Sequence, residues 1–281
     1  PTLRVNAHQS GISVDLGGRR IIKKKILDKA YRLESGRNAF YEACYETTTY
    51  VEDLLQELDG EEFKASVEDL WESFQELAKT PADSVTQNLV LQKSELLLSR
   101  AQTLYDDLKE YQANIDMQIQ EDVERVNEIG QTIYELNLKI QRVESNKVET
   151  AMTLRDERDK LLDELSTYAN INVREDELGF VFVTMEGVDF IYEAGYHEIQ
   201  IKTDILTNFS TPYWSHLSDP NKKLYVDVFD LDETISSEMN TDVGTIKAKM
   251  LMRGDDFGVY TDLLTAENYK GVQDEVVMET E

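Results

Sequence analysis

The fold is decided by the stretch Val85–Val143, which reads VTQNLVLQKSELLLSRAQTLYDDLKEYQANIDMQIQEDVERVNEIGQTIYELNLKIQRV. This stretch contains no proline and a single glycine, Gly130, so it holds no residue that must end a helix. From Leu97 to Val143 its apolar residues recur every three or four positions, with a mean step of about 3.5. The spacing predicts one unbroken helix, roughly 90 Å long. Its narrow apolar stripe needs a partner along the whole length.

Two further segments carry matching stripes. The first has only one charged member, Arg37, and consists otherwise of Ile26, Ala30, Leu33, Phe40, Cys44, Thr47, Val51, Leu54 and Leu58. The second consists of Ala151, Leu154, Leu161, Leu165 and Tyr168. Because the connections between the three segments are short, we expect the helices to pack as an antiparallel rod. Leu136 would lie in the middle of the shared apolar seam.

A shorter helix is expected between the first and the long one. Ser66 can cap its start, and its apolar face includes Trp71 and Phe74, which the pattern places in the core. Pro81 ends this helix, and Asp83 or Ser84 is expected to cap the long one.

Outside the helices the apolar pattern has a period of two. Residues 2–22 alternate apolar and polar positions around Gly11, which predicts a β-hairpin at the base of the rod. The same period starts again at Ile171, and Ile246, Ala248 and Met250 suggest a late strand before two segments that look helical, Val259–Leu264 and Gln273–Glu279. The sequence therefore predicts an α+β fold, an elongated antiparallel helical rod of long coiled-coil-like helices with a small β-rich domain. The rod with its hairpin takes residues 1–170, the β-rich domain 171–240, and a return segment packing back on the rod 241–281.

Composition excludes several classes of partner. The 281 residues include 56 acidic and 29 basic ones, a formal net charge of −27. This charge repels nucleic-acid phosphates and anionic membranes, so neither is an expected partner. No run of about 18 apolar residues is present that could span a bilayer, and the chain opens on a polar segment without the apolar core of a signal peptide.

One motif suggests catalysis. Val228–Thr234, which reads VFDLDET, resembles the first motif of haloacid-dehalogenase-like metal-dependent phosphatases, in which Asp230 would be the nucleophile and Asp232 its acid-base partner. Gly254-Asp255-Asp256 resembles the acidic metal-binding motif of the same enzymes. That fold needs a parallel sheet with helical crossovers between the two motifs, and too few residues separate them here. We therefore expect no enzyme.

No other segment indicates a catalytic, metal or cofactor site. His8, His197 and His216 lack the spacing of a zinc motif and are interpreted as surface or turn residues. Cys44 lies in an apolar stripe and is expected to be a small core residue. The basic run Arg19–Lys25 is interpreted as a solvated helix start, with a docking patch for an acidic partner as the alternative. We expect no catalytic residue, no metal and no cofactor.

Two segments of the rod resemble a known family. Residues 67–83, VEDLWESFQELAKTPAD, are similar to the L-x-x-F-x-x-L-A-x-x-P-x-D segment of the flagellar hook-associated protein 1 family, and residues 154–165, LRDERDKLLDEL, to its L-x-D-x-R-D-x-L-L-D-E-L segment. The intervening helix also fits, including Val126-Asn127-Glu128-Ile129 and Leu136-Asn137-Leu138-Lys139-Ile140. The resemblance covers roughly residues 66–173, and the β-rich part is not matched residue by residue.

The resemblance implies a structural subunit of the bacterial flagellum at the hook–filament junction. Its partners would be copies of itself in a ring, the flagellar hook protein, the next hook-associated protein, and an export chaperone that binds terminal segments. The protein would be extracellular, secreted by the flagellar type III apparatus, and the chain would be a core fragment lacking the family's terminal polymerisation helices. Two alternatives stay open: the phosphatase built on Asp230 and Asp232, and a coiled-coil adaptor without a flagellar role.

Overall fold

A computed structural model describes residues 3–56, 63–145 and 150–257, and it describes side chains from Lys25 onward. The helices of these ranges are α1 (Leu3–Gln56), α2 (Phe63–Lys79), α3 (Ser84–Glu144), α4 (Met152–Tyr168) and α5 (Thr245–Arg253). They form an elongated antiparallel rod that carries a small β-rich region, as the predicted α+β class requires. The predicted division at residues 170 and 240 stays a prediction.

The strands form two antiparallel sheets. The larger contains β1 (Ile171–Glu175), β2 (Val181–Met185), β3 (Val188–Tyr192) and β4 (Gly195–Tyr196) in sequence order, and the smaller pairs β5 (Ile199–Thr203) with β6 (Ser210–Trp214). Sequential antiparallel order follows from the tight connections between the strands, such as Glu186-Gly187, where both residues have positive φ.

Helix α3 is continuous from end to end over 61 residues. It begins after Asp83, whose carboxylate accepts a hydrogen bond from the Val85 backbone N–H at 2.9 Å and so satisfies one of the unpaired donors of the first turn. The prediction of one long helix with this cap is confirmed.

The core lies along the second half of α3. Ile119, Val126, Ile129 and Ile133 are fully buried there, and they pack with residues of α4, α5 and both sheets, including Leu165, Val183, Phe190, Trp214 and Ile246. Gly130 belongs to this contact, because a Cβ atom at that position would lie 2.5 Å from the Phe190 ring. The helix and the strands therefore share one core.

Helix α1 packs mainly against α4 and α5 and barely contacts α3. Gly36 allows the closest approach, since a Cβ there would collide with the Ser166 carbonyl of α4. Arg37, the charged member of the α1 stripe, donates to the buried Asp242 carboxylate at 3.1 Å. The long stripe of α3 is thus covered by α4, α5 and strands more than by α1.

Two strand predictions are wrong. The hairpin predicted for residues 2–22 is part of helix α1, which begins at Leu3. The late strand suggested by Ile246, Ala248 and Met250 is helix α5, which lies between α1 and α3 and buries nearly every face, Lys247 included. In both places a short apolar alternation does not distinguish strand from helix. The helical predictions for Val259–Leu264 and Gln273–Glu279 lie outside the described residues.

The prediction for the face of α2 is also wrong. Trp71 and Phe74 are 66% and 48% exposed, whereas Ser66 and Ser73 are the buried members of this helix. Helix α2 packs on α3, and its buried and half-buried positions Ser66, Leu70, Ser73 and Leu77 recur on one face, so Trp71 and Phe74 lie outside that face. The apolar residues of α2 extend round more than half of its circumference, and a single partner helix covers only one side of α2.

Candidate functional site

The phosphatase-like motif forms a surface turn. Val228 and Phe229 are buried, but Asp230 and Asp232 are exposed, and the Asp232 backbone N–H donates to the Asp230 carboxylate at 3.0 Å. The Asp230 side chain therefore stabilises a local Asx turn. Glu233, next in sequence, pairs with the buried ammonium group of Lys247. Asp230 and Glu233 of the motif thus have structural partners.

The surroundings of the motif do not fit a phosphatase. All strand pairings of the described residues are antiparallel, whereas the nucleophile of that fold lies at the end of a parallel strand. Within the described ranges no three His, Cys, Asp or Glu side chains are grouped so that they could hold a metal ion. The residues present therefore do not fit the magnesium that the motif would need.

The histidines show one arrangement that the sequence did not indicate. His197 and His216 stack with ring centroids 3.5 Å apart, and Tyr192 stacks on the other face of His197 at 4.4 Å. Burial and the neighbouring His197 lower the pKa of His216. The side chain of His8 lies outside the described residues.

Lys25 of the basic run and Cys44 both lie against other residues of the fold. Lys25 lies 3.5 Å from Glu175, and the side chains of residues 19–24 lie outside the described residues. Cys44 is half-buried beside Phe40 and Ala43, and burial raises the pKa of its thiol. The prediction of a small core residue agrees with this environment.

A buried network ties α3, α4 and the larger sheet together. The Arg158 guanidinium is almost fully buried and donates to the Asn137 amide oxygen at 2.9 Å, the Gly179 carbonyl at 2.7 Å and the Glu175 carboxylate at 3.1 Å. Arg155 adds ion pairs to Glu175 and to Glu144, and its hydrogen bonds lower the pKa of Glu144 to about 2. Arg155, Arg158 and Glu175 also line a groove of about 330 Å³ between α1, α4 and β1.

A second network ties α3, α5 and the smaller sheet together. The Asp116 carboxylate forms an ion pair with Arg253 and accepts hydrogen bonds from the Ser210 backbone N–H at 2.7 Å and from Gln120 at 3.0 Å. Arg253 also donates to the Ser210 carbonyl at 2.8 Å. Asp116, Ser210 and Arg253 are all nearly inaccessible to solvent, so the charges are compensated inside the protein.

Two asparagines of α3 bind the sheets through their amide groups. The Asn127 side chain donates to the Ile199 carbonyl at 2.8 Å and accepts from the Ile199 N–H at 2.9 Å. Asn137 makes the same pair of bonds with Val181, at 2.9 and 3.2 Å. Each amide replaces a neighbouring strand at the first residues of β5 and β2. In the sequence each of these asparagines is visible only as a polar residue beside the apolar stripe. Its role in binding a sheet depends on which strand backbone lies opposite it in the fold.

The largest exposed apolar area in helix α2 is a stripe that we call the α2 stripe, Val67, Trp71 and Phe74. These side chains recur at steps of four and three, as in a helix seam, but point to solvent in the described part of the chain. Aromatic residues at exposed helix seams are typical of protein–protein contacts. None of the helices in the described ranges is long and apolar enough to cross a membrane.

Comparisons with known proteins identify relatives of the rod. A curated relative, flagellar hook-associated protein 1 of Bacillus subtilis (strain 168), is 25% identical over 173 residues, which is 62% of this chain and 34% of that protein. The solved structure of the flagellar hook junction protein FlgK from Burkholderia pseudomallei superposes with a TM-score of 0.60 at 16% identity, covering 82% of this chain and 39% of that one. At this identity the likeness to the solved structure shows the fold alone.

The chain spans about a third of the length of its curated relative. The profile of the family described as the flagellar hook-associated protein FlgK helical domain matches residues 48–256, from the end of α1 to the residues after α5. Because this match extends over well more than half of the sequence, the chain belongs to the FlgK helical domain family.

Proposed function

We propose that this protein is a structural subunit of the bacterial flagellum at the hook–filament junction, assembled by self-association. The observation that carries the proposal is the family match over residues 48–256, which includes α2 to α5 and all six strands. A structural role fits the absence of a phosphatase geometry around Asp230 and Asp232 in the described residues.

The physical design of the rod supports this role. A junction subunit must transmit force between neighbouring subunits without changing shape. Helix α3 is held at Asp116 and at Asn137, about 30 Å apart along its axis, by two buried polar networks that each connect it to another helix and to a sheet. Shear between the helix and the sheets would break buried charge-assisted bonds, which resist motion strongly.

The partners that we propose are copies of the same chain in a ring, the flagellar hook protein and the next hook-associated protein. The α2 stripe supports an assembly role, because exposed Trp and Phe side chains at a helix seam lose contact with water when another helix covers them. Export by the flagellar type III apparatus would place the assembled protein outside the cell, and the single cysteine fits a protein that needs no disulfide.

Gene deletion and complementation in the source bacterium test the proposal. We expect the deletion to leave hooks without filaments in electron micrographs, and the wild-type gene to restore filaments. The double variant Asp230→Asn, Asp232→Asn should restore them equally well, since neither carboxylate is needed for assembly. Normal filaments in the deletion strain would contradict the junction role. Failure of the double variant, together with magnesium-dependent phosphatase activity lost on Asp230→Asn, would favour the enzyme.

A further inference from the structure

The register of the β1–β2 pair determines which way the backbone of β1 points. The Glu186 N–H donates to the Asn170 carbonyl at 3.0 Å at one end of the pair, and the Asp176 N–H donates to the Phe180 carbonyl at 2.9 Å at the other end. In an antiparallel pair every second residue forms such bonds with the neighbouring strand. The even-numbered residues of β1 therefore bond to β2.

The odd-numbered residues of β1, which are Ile171, Val173 and Glu175, direct their N–H and C=O groups to the free edge of the larger sheet. Strand β1 is the first strand of this sheet, and no hydrogen bond within the described ranges uses these backbone groups. An edge of this kind is a template for pairing with another strand. Three alternate pairing positions are therefore available at β1.

The side chains of these three residues line the groove of about 330 Å³ between α1, α4 and β1. Its apolar lining also includes Met152, Leu162 and Val181, and every residue that lines it belongs to the described part of the chain. A cavity of ~150 Å³ holds one benzene molecule, so the groove has room for more than one aliphatic side chain. Because alternate side chains of a strand point to the same face of a sheet, a strand added to β1 would direct every second side chain into this groove.

The groove differs in charge from the rest of the protein. Five cationic and four acidic residues line it, whereas the whole chain has 29 basic and 56 acidic residues. At one end of the groove the Glu175 carboxylate lies within 3.5 Å of three cations, which are Lys25, Arg155 and Arg158. Arg155 also pairs with Glu144. Within these ion pairs three cations share two carboxylates, so one positive charge is left over, and the buried Nε of Arg158 has no acceptor in the described residues.

We propose that the free edge of β1 binds an extended segment of another protein by strand addition. The segment runs antiparallel to β1, since antiparallel pairs are slightly more stable than parallel ones, and it exchanges backbone hydrogen bonds with Ile171, Val173 and Glu175. The inference rests on the β1 edge and the groove, and it does not depend on the proposed flagellar function.

The groove also specifies the sequence of the bound segment. The residue beside Glu175 is acidic, because its carboxylate meets the positive charge that is left over there, and the next two inward-facing residues, beside Val173 and Ile171, are apolar. The recognised pattern is therefore acidic–x–apolar–x–apolar. A second copy of β1 does not fit this pattern, because antiparallel pairing centred on Val173 would place Ile171 of that copy beside the cations.

Peptide binding to the 281-residue chain tests strand addition. The probe is the blocked peptide TTETVTVTT, whose glutamate and two valines have the proposed spacing. N-methylation of its first valine removes an N–H that donates to the Val173 carbonyl, whereas N-methylation of the threonine that follows removes an N–H that points away from β1. In calorimetric titrations we expect the first change to raise Kd about tenfold or more and the second to leave Kd within about twofold.

Three results would overturn the proposal. Equal Kd values for the two methylated peptides would show that the peptide binds without pairing to β1. Absence of binding by the unmethylated peptide would show that the edge is not a binding site. A dimer of the protein that the peptide dissociates, detected by analytical ultracentrifugation, would assign the edge to a second copy instead.

A charge exchange tests the acidic position separately. The side chain of Lys25 is 59% exposed, so Lys25→Glu should leave the fold intact, and thermal unfolding checks this. We expect the variant to bind TTETVTVTT about threefold more weakly than the wild type does, and to bind the peptide with lysine in place of glutamate more tightly. Lys64→Glu on α2, at a lysine that does not line the groove, is the matched control and should change neither affinity. Unchanged affinities of Lys25→Glu for both peptides would overturn the proposed recognition of an acidic residue.

Discussion

The two halves of helix α3 share one apolar periodicity but differ in what surrounds them. From Ile115 to Ile140 the stripe is buried against two helices and two sheets, and polar groups beside it are bound in two buried networks. From Val85 to Leu108 helix α2 packs on one side of α3, and in the described part of the chain large apolar side chains such as Leu91 and Leu98 are exposed. Periodicity thus determines that a helix forms, and the number of neighbours determines how much of it is buried.

This difference implies two energetic regimes. In the packed half, removing one side chain leaves a cavity or an uncompensated charge that the surroundings cannot relax away. In the open half, water reaches most side chains, and it replaces lost interactions at little cost. The following predictions compare matched substitutions in the two halves, in order of decreasing effect.

The ion pair inside the packed half gives the largest contrast. Asp116→Asn leaves the Arg253 guanidinium buried without a counter-charge, and we expect a loss of about 3–5 kcal/mol of unfolding free energy. The control is Asp69→Asn, which removes the partly exposed pair with Lys93 and should cost less than about 1 kcal/mol. Urea denaturation of both variants measures the difference. Equal costs would show that the two halves are energetically alike.

A charge in the apolar seam gives the next effect. Leu136 is 3% exposed, so Leu136→Asp should cost about 3 kcal/mol or more because the carboxylate has no partner there. Leu96→Asp in the open half introduces the same charge at a site that water reaches, and we expect a clearly smaller loss. An unchanged midpoint of chemical unfolding for Leu136→Asp would contradict the seam assignment.

Burial in the packed region also predicts a pH dependence. Burial raises the pKa of Glu186 to about 7 in the folded protein, above its usual 4.5, although its carboxylate accepts a hydrogen bond from the Asn170 N–H at 2.8 Å. Between these two values the folded state holds its proton more tightly than the unfolded state. The contribution of Glu186 to stability is therefore fully present below pH 4.5 and is lost as the pH rises through 7.

Glu186→Gln keeps the acceptor oxygen and removes this titration. The variant should exceed the wild type by about 1–2 kcal/mol at pH 8 after solvent screening, and the gain should disappear near pH 4.5. Urea denaturation of both proteins across this range measures the gain. A gain that is constant with pH would show that the carboxyl group does not titrate with folding.

Close packing at Gly130 predicts a smaller effect. An added Cβ would meet the buried Phe190 ring at 2.5 Å, so Gly130→Ala should be destabilising by about 1–2 kcal/mol although alanine favours helices. Gln131→Ala at the exposed neighbouring position is the control and should not destabilise the protein. A higher Tm for Gly130→Ala than for the wild type would indicate that the ring moves aside freely.

The smallest effect is expected in the α2 stripe. Because Trp71 is mostly exposed, Trp71→Gln should change the unfolding free energy by no more than about 0.5 kcal/mol. The fully buried Trp214 is the counterpart, and Trp214→Ala should cost about 3–5 kcal/mol. A large loss for Trp71→Gln in a monomeric sample would mean that the α2 stripe is covered within the chain.

The sequence predicts those regions of the fold where a long periodic pattern constrains the backbone. The unbroken helix with its Asp83 cap and the change to strands at Ile171 are confirmed. The two wrong strands, in residues 2–22 and 246–250, are short alternations that fit either structure, and only their neighbours select the helix. The core positions predicted for Trp71 and Phe74 are wrong because an apolar helix face is not always a buried one.

The candidate functional residues are indicated by other features of the sequence than the periodic pattern that predicts the helices. The segment around Asp230 and Asp232 matches the phosphatase motif in sequence but does not follow a parallel strand. The small number of residues between the two motifs is enough to reject the phosphatase fold. Periodicity does not mark Asn127 and Asn137 as docking residues, because their partners, Ile199 and Val181, are more than forty residues away in sequence. Contacts between residues so far apart along the chain produce no periodic pattern in the sequence.

The two asparagine amides fix the distance along α3 between the points at which the two sheets are attached to the helix. One added residue between Asn127 and Asn137 would turn the second amide by about 100° away from its strand, whereas seven added residues would keep it facing the sheet and separate the two docking points by a further 10 Å or so. Sister proteins with longer or shorter rods should therefore differ between these points by whole heptads.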